Sequence, residues 1–342
     1  MIPIKNIYHM LTYAFRTLSK DSYQSLETEK FENVFDLYAA ILIKGVSTQL
    51  KRGLVKEYIR VEERTSALKG RVDISESIKD FTMIDSQMVC QYDEYSANTY
   101  MNQILKTTMI LLLNREIQRI RKKELRKLLL YFSEVDQLDI YSINWRFRFH
   151  RNNQDYQLLL SISRLVIEGH LQSEQSGQQS LMAFKDDQRM SRLYERFLLE
   201  YFRKEYPEIK SNASHIQWQL DDGYDDLLPQ MQSDVILEKG QKILIIDAKY
   251  YSKMTQSYYN TPKNRSEHLY QIFSYVKNKE IELLDKDYEV AGMILYAKTD
   301  EKVIPNNRYR MSGNQIYVQA LDLNCEFSEI EEQLAEIAQI VE

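Results

Sequence analysis

Two apolar runs joined by a tight polar turn, each run carrying an acid, limit what this chain can fold into. The stretch reads Gln232-Ser233-Asp234-Val-Ile-Leu-Glu-Lys-Gly-Gln-Lys-Ile-Leu-Ile-Ile-Asp247-Ala-Lys249-Tyr-Tyr. A turn centred on Lys239 and Gly240 makes it an antiparallel hairpin. That register pairs Leu237 with Lys242 and Asp234 with Ile245. Side chains alternate along a strand, so Ile245, Asp247 and Lys249 share a face. Asp234 then lies diagonal to Asp247 on that face, within reach across the hairpin. Val235, Leu237, Leu244, Ile246 and Ala248 form the opposite face and pack on a helix layer.

The acids on this hairpin point to a reaction. Two carboxylates this close repel each other and stay ionised together only with a cation between them. Oxygen ligands suit a hard ion such as Mg²⁺. Lys249 is placed to orient a water or to offset charge on a transferring phosphate. An Asp-x-Lys directly after a buried run is costly unless it is used. The pattern is the sequence form of a metal-dependent phosphodiester cleavage site. Glu238 has the parity of Asp234 but sits at the turn and reads as a turn residue.

Neighbouring segments offer further candidates. Glu195 lies on a helix upstream of the hairpin, beside its apolar stripe. It is either a surface carboxylate or a group that completes or braces the metal site. Gln271 and Tyr275 are four residues apart on the helix that follows, on one face. Gln271 could orient the attacking water or touch the phosphate, or belong to a mixed polar face. His268 reads as structural or surface. Lys253, Lys263 and Arg265 lie between hairpin and helix, in either a basic loop suited to backbone contacts with nucleic acid or a disordered surface loop.

The rest of the chain is organised around this core. Helical periodicity covers residues 1–18, 32–51, 154–170, 187–205, 266–284 and 328–341. Pro207 ends the helix over 187–205. Strands are expected at 54–62, after the Leu68-Lys-Gly70-Arg71 turn, at 84–93, at 290–297 and at 316–321. The run Val290–Ala297 is almost continuously apolar, as a buried central strand would be. Residues 97–131 read as the longest helix, with a basic second half: Arg115, Arg119, Arg121, Lys122, Lys123, Arg126 and Lys127. That half is either a solvated face or a phosphate-facing surface. The polar stretch Ser173–Ser180 reads as an exposed loop. The order helix, hairpin, helix, strand is that of an α/β sandwich.

Composition narrows the class. The net charge is −5 over 342 residues, so any DNA contact has to be local. Only Cys90 and Cys325 are present, which supports neither a disulfide scaffold nor a cysteine zinc site. No segment has the length of a membrane span and no signal peptide is visible, so a cytoplasmic location is expected. Tyrosine is frequent, at 25 residues, which fits half-exposed core edges or interfaces.

Several separated stretches together resemble a known family. They are Ile4-Lys-Asn-Ile-Tyr-His-Met-Leu-Thr-Tyr13-Ala, Lys51-Arg52-Gly53-Leu with Tyr58, and Leu68-Lys-Gly70-Arg71-Val. Leu193-Tyr-Glu195-Arg-Phe, Asp234, Asp247-Ala-Lys249-Tyr-Tyr and Gln271 with Tyr275 complete the set. The arrangement resembles the PD-(D/E)xK nucleases, and among them the McrC family, the nuclease subunit of McrBC-type modification-dependent restriction systems. One position departs: the proline expected before the first aspartate is Ser233.

The resemblance implies an α/β (α+β overall) protein. An N-terminal mixed helical/β partner-binding region, residues 1–175, would dock on a ring-forming AAA+ GTPase of the McrB type and stimulate it. A restriction-endonuclease-like α/β/α core, residues 180–342, would cleave double-stranded DNA carrying modified cytosine (5-methylcytosine). Asp234 and Asp247, with Glu195, would hold Mg²⁺, while Lys249 and Gln271 serve the attacking water and the phosphate. GTP would be hydrolysed by the partner, because this chain has no GxxxxGK[ST] loop. Two other readings stay open: a nuclease of another defence or repair system with a different translocase, and a scaffold whose acidic site is vestigial.

Overall fold

A computed structural model describes the chain except for residues 1, 16–17, 19–22, 24, 27, 80–81, 151–152, 175–178, 224, 251–254, 259–260, 285–286 and 299–304. The chain forms two compact units. One comprises residues 28–171; the other joins Met1–Glu27 to Gln172–Glu342. This departs from the partition expected at 175–180, because the first helix, α1 (Ile4–Ala14), belongs with the C-terminal unit. Its side chains explain why. Asn6 Nδ2 donates to the carbonyls of Leu323 and Cys325 at 2.9 and 2.8 Å. The Tyr13 ring packs on Phe197 and Tyr201, with centroids 5.7 and 5.0 Å apart.

The unit over residues 28–171 is mixed. Helix α2 (Val34–Arg52) is capped by Asn33, whose side chain accepts the Asp36 N–H. Strands β1 (Glu57–Thr65), β2 (Arg71–Val72) and β3 (Met88–Ser96) form an antiparallel sheet in the order β1-β3-β2. The short helix α3 (Ile74–Lys79) follows β2, where the sequence suggested a longer strand.

The expected single helix over 97–131 is two helices, α4 (Tyr100–Leu113) and α5 (Arg119–Leu129). The break has an electrostatic reason. Asp36 is fully buried on α2 and accepts the Gln118 N–H at 3.0 Å and the Arg121 guanidinium. Arg121 also pairs with Glu29 at 2.9 Å. An unbroken helix has no free N–H at residue 118 to offer, since that group would close on residue 114. Helix α6 (Tyr156–Glu174) completes the unit, and its Tyr156 hydroxyl donates to Asn102 Oδ1 at 2.8 Å.

The other unit is built on a six-stranded mixed sheet. Its elements are α7 (Gln179–Glu205), β4 (Lys210–Asn212), β5 (His215–Ile216), β6 (Met231–Gln232), β7 (Val235–Lys239) and β8 (Lys242–Lys249). Then come a hairpin, β9 (Thr255–Tyr258) and β10 (Thr261–Asn264), α8 (Ser266–Glu282), β11 (Glu289–Ala297), β12 (Asn306–Met311), β13 (Asn314–Leu321) and α9 (Phe327–Ala338). The sheet order is β12-β13-β11-β8-β7-β4. The apolar strand β11 is central and parallel to both neighbours, β8 and β13. Helix α8 packs on one face through Ile272, Tyr275 and Val276, against Ile243, Ile245, Val290, Ile294 and Ile316. It comes very close at Gly292, where a Cβ would meet Val276 Cγ2 at 2.7 Å and Ile272 Cγ1 at 2.8 Å. Helix α7 packs against β7 and β8, with Tyr194, Phe197, Leu198, Tyr201 and Phe202 buried. The result is the α/β architecture expected for this region.

The β7–β8 hairpin forms, but in another register. Lys239 pairs with Lys242 and Leu237 with Leu244, so the turn residues are Gly240 and Gln241. Gly240 has φ +62°, the positive angle that a type II′ turn requires at its first central position. The shift is two residues, so every side chain keeps its expected face. Among the described residues no helix is long and apolar enough to cross a membrane.

Candidate active site at the open end of the hairpin

The register change brings Asp234 level with Asp247 rather than diagonal to it. The ladder ends at Val235 opposite Ile246. Beyond it, Asp234 Oδ2 accepts the Ala248 N–H at 2.8 Å, a side chain taking the place of the next backbone partner. This bond fixes the Asp234 carboxylate beside β8. Asp247 itself is buried in the sheet, at 2% exposure.

Lys249 and Gln271 complete the constellation. Lys249 Nζ lies 2.9 Å from Asp247 Oδ2. It also donates to Gln271 Oε1 at 3.1 Å. Gln271 Nε2 donates to the Tyr275 hydroxyl at 2.8 Å, which orients the amide from the next turn of α8. Asp234, Asp247, Lys249 and Gln271 therefore come from two strands and one helix to one place.

The electrostatics are those of a site short of positive charge. Burial, then the Asp247 charge, then the Glu195 charge push the Asp234 carboxyl up to about 8. The Ala248 N–H and Lys249 oppose that rise. Burial also raises Asp247, with Lys249 pulling it back and Glu195 adding to it. Asp247 Oδ2 is buried with the Lys249 ammonium 2.9 Å away, and a carboxylate oxygen keeps a further lone pair beyond that contact. A hard cation would answer both features, since it holds two carboxylates ionised and fills an unused lone pair. The donor set thus fits Mg²⁺.

Glu195 stands apart from the pair. It sits half-buried on α7, where Ser191 Oγ donates to its Oε1 at 2.8 Å. Its charge reaches both aspartates. Among the described residues, however, no three His, Cys, Asp or Glu side chains gather into one metal-binding cluster.

Two further residues shape the site. His268, expected to be structural or surface, is buried and hydrogen-bonded through Nδ1 to the Tyr296 hydroxyl at 2.7 Å. Tyr296 is the register partner of Lys249 on β11. Burial and the Lys249 charge lower the His268 imidazole to about 4. The signal was its position, one helical turn before Gln271 and on the same face. Ser233 is also buried, and both its N–H and its hydroxyl donate to the Ser214 carbonyl, at 3.3 and 3.1 Å. A proline there could make neither bond. Arg265 reaches Glu267 at 3.2 Å, whereas Lys253 and the side chain of Lys263 lie outside the described residues.

The type IV methyl-directed restriction enzyme EcoKMcrBC of Escherichia coli (strain K12) is 27% identical over 343 residues, covering 98% of this chain and 97% of the relative. A chain in the refined half-complex of Thermococcus gammatolerans McrB AAA+ hexamers with bound McrC shares the fold. Its TM-score is 0.50 at 16% identity, over 99% of this chain and 76% of that one. The family described as McrBC 5-methylcytosine restriction system component matches residues 5–285. The chain belongs to that family of McrBC 5-methylcytosine restriction system components.

Proposed function

We propose that this chain is the Mg²⁺-dependent DNA endonuclease subunit of a modification-dependent restriction complex and acts in the cytoplasm. The observation that carries the reading is the pair of half-buried Asp234 and buried Asp247 with Lys249 against it. Asp234 and Asp247 would hold the ion, with Glu195 adding negative charge nearby. A bound Mg²⁺ supplies a lowered pKa for water and charge stabilisation at phosphate. Lys249 sits beside the carboxylates with its ammonium steered by Gln271, where it can orient a water or offset developing charge. Helix α8 closes this side of the sheet and limits bulk water around the pair.

The partner side of the proposal rests on the family. The Thermococcus gammatolerans structure contains McrB AAA+ hexamers with bound McrC. We assign this chain a ring partner of that type, which hydrolyses GTP, is stimulated by this chain and selects DNA with 5-methylcytosine. Residues 1–175 are proposed to include the docking surface.

Cleavage of methylated DNA with the ring partner, GTP and Mg²⁺ tests the assignment. Asp247→Asn is expected to lower the rate by about 10²-fold or more, since several kcal/mol of barrier reduction are lost. Mg²⁺ should raise the melting temperature of the parent chain but not of an Asp234→Asn/Asp247→Asn variant. Cutting by Asp247→Asn at the parent rate would sink the reading.

A further inference from the structure

Helix α5 presents an unusual face. Its inner side is fixed: Leu125 and Leu128 are buried, and Arg121 is held by Asp36 and Glu29. The remaining cations therefore point away. Arg119, Lys123, Arg126 and Lys127 are exposed, and Lys122 is half-buried.

Several other cations on helices of this chain meet an acid one turn away: Arg164 with Glu168, Lys277 with Glu280, Lys279 with Glu282. The five on α5 do not. Among the described residues none of them has an ion pair, a side-chain hydrogen bond or a ring contact, and the helix holds a single acid, Glu124. Like charges at this spacing repel and weaken a helix.

The charge of the whole unit points the same way. Residues 28–171 carry 22 Lys and Arg against 19 Asp and Glu, whereas the full chain has 45 against 50. The acidic excess lies in the unit that holds the candidate active site.

We propose that the outward face of α5 binds the phosphate backbone of double-stranded DNA, as a contact separate from the cleavage site. The inference rests on DNA being the substrate. Three of the five cations are lysines, a residue depleted in protein–protein interfaces but suited to phosphate as a mobile point charge. The proposed contact is to phosphate, so it is independent of sequence and of methylation.

The test is binding of the full chain to a fluorescent duplex, without Mg²⁺ so that no cutting occurs, over a salt series. The variant is Arg119→Gln/Lys123→Gln/Arg126→Gln/Lys127→Gln. Its binding should weaken at least about tenfold, and the slope of log affinity against log salt should become shallower by about 3. Methylated and unmethylated duplexes should lose equally. A Lys69→Gln/Lys79→Gln variant removes two ion-paired cations of the same unit and should bind like the parent. Unchanged affinity and slope in the α5 variant overturn the proposal, as does a parent chain that fails to bind duplex at low salt. DNA binding retained with loss of the ring partner also overturns it, and assigns the face to protein. Asp247→Asn should keep this binding, so failure of the nuclease reading is seen separately.

Discussion

Lys249 Nζ donates to Gln271 Oε1 at 3.1 Å, a bond between the last residue of β8 and the second turn of α8. The amide therefore acts by holding the ammonium. Lys249→Met is expected to reduce cleavage by about 10²-fold or more. Gln271→Ala should reduce it roughly 10- to 100-fold through misplacement. Because one group acts through the other, the double variant should be no slower than Lys249→Met alone. Additive losses in single-turnover rates would mean that Gln271 works independently.

Ser233 anchors the residue before Asp234 to the Ser214 carbonyl. Ser233→Ala removes one of two donors and should cost about 1 kcal/mol. Ser233→Pro removes both and should cost more, about 2 kcal/mol. Urea unfolding of the three proteins checks the order. A Ser233→Pro variant as stable as the parent would show that these bonds contribute nothing.

Gly292 leaves the space that α8 fills. In Gly292→Ala the new methyl meets Val276 and Ile272 inside van der Waals contact. The variant should lose about 1–3 kcal/mol of stability. The displaced helix carries Gln271, so cleavage should also fall. Thermal unfolding and a cleavage assay read the two effects, and an unshifted melting temperature would contradict the packing argument.

His268 supplies a pH dependence. Its folded pKa, about 4, lies below the ordinary histidine value, so the unfolded chain binds the proton more tightly. The stability linked to this group is present above about 6.5 and is lost as pH falls through about 4. The loss should be on the order of 2–3 kcal/mol. His268→Gln should flatten the unfolding free energy over that window. An equal slope in parent and variant would place the titration elsewhere.

The arrangement of the site was legible because it rests on local pattern. Acid, apolar run, Gly, apolar run and Asp-x-Lys place Asp234, Asp247 and Lys249 on one face in any even register. The register itself was not legible, because Lys239-Gly240 and Gly240-Gln241 are both plausible turns. The cross-chain bond from Lys249 to Gln271 follows from helix spacing only once α8 is known to cover that face.

Tertiary pairing hid the rest. The break between α4 and α5 depends on Asp36, more than eighty residues from Gln118. Strand β12, Asn306–Met311, is largely exposed and polar, so it lacks the apolar alternation that marked the other strands. The attachment of α1 to the C-terminal unit depends on carbonyls at Leu323 and Cys325. Apolar periodicity shows that a helix has a buried face but not which unit buries it.

That last attachment has a consequence for biosynthesis. Residues 28–171 are an insertion within the unit that α1 begins. Asn6 waits for a partner 317 residues further on. At about 5–20 residues per second of synthesis, the wait is roughly 15–60 s. The inserted unit can finish its own core in that interval. The sheet cannot, because β13 and α9 are made last. Until then the Asn6 side-chain amide lacks its two carbonyl acceptors, although α7, which packs on α1, is already made.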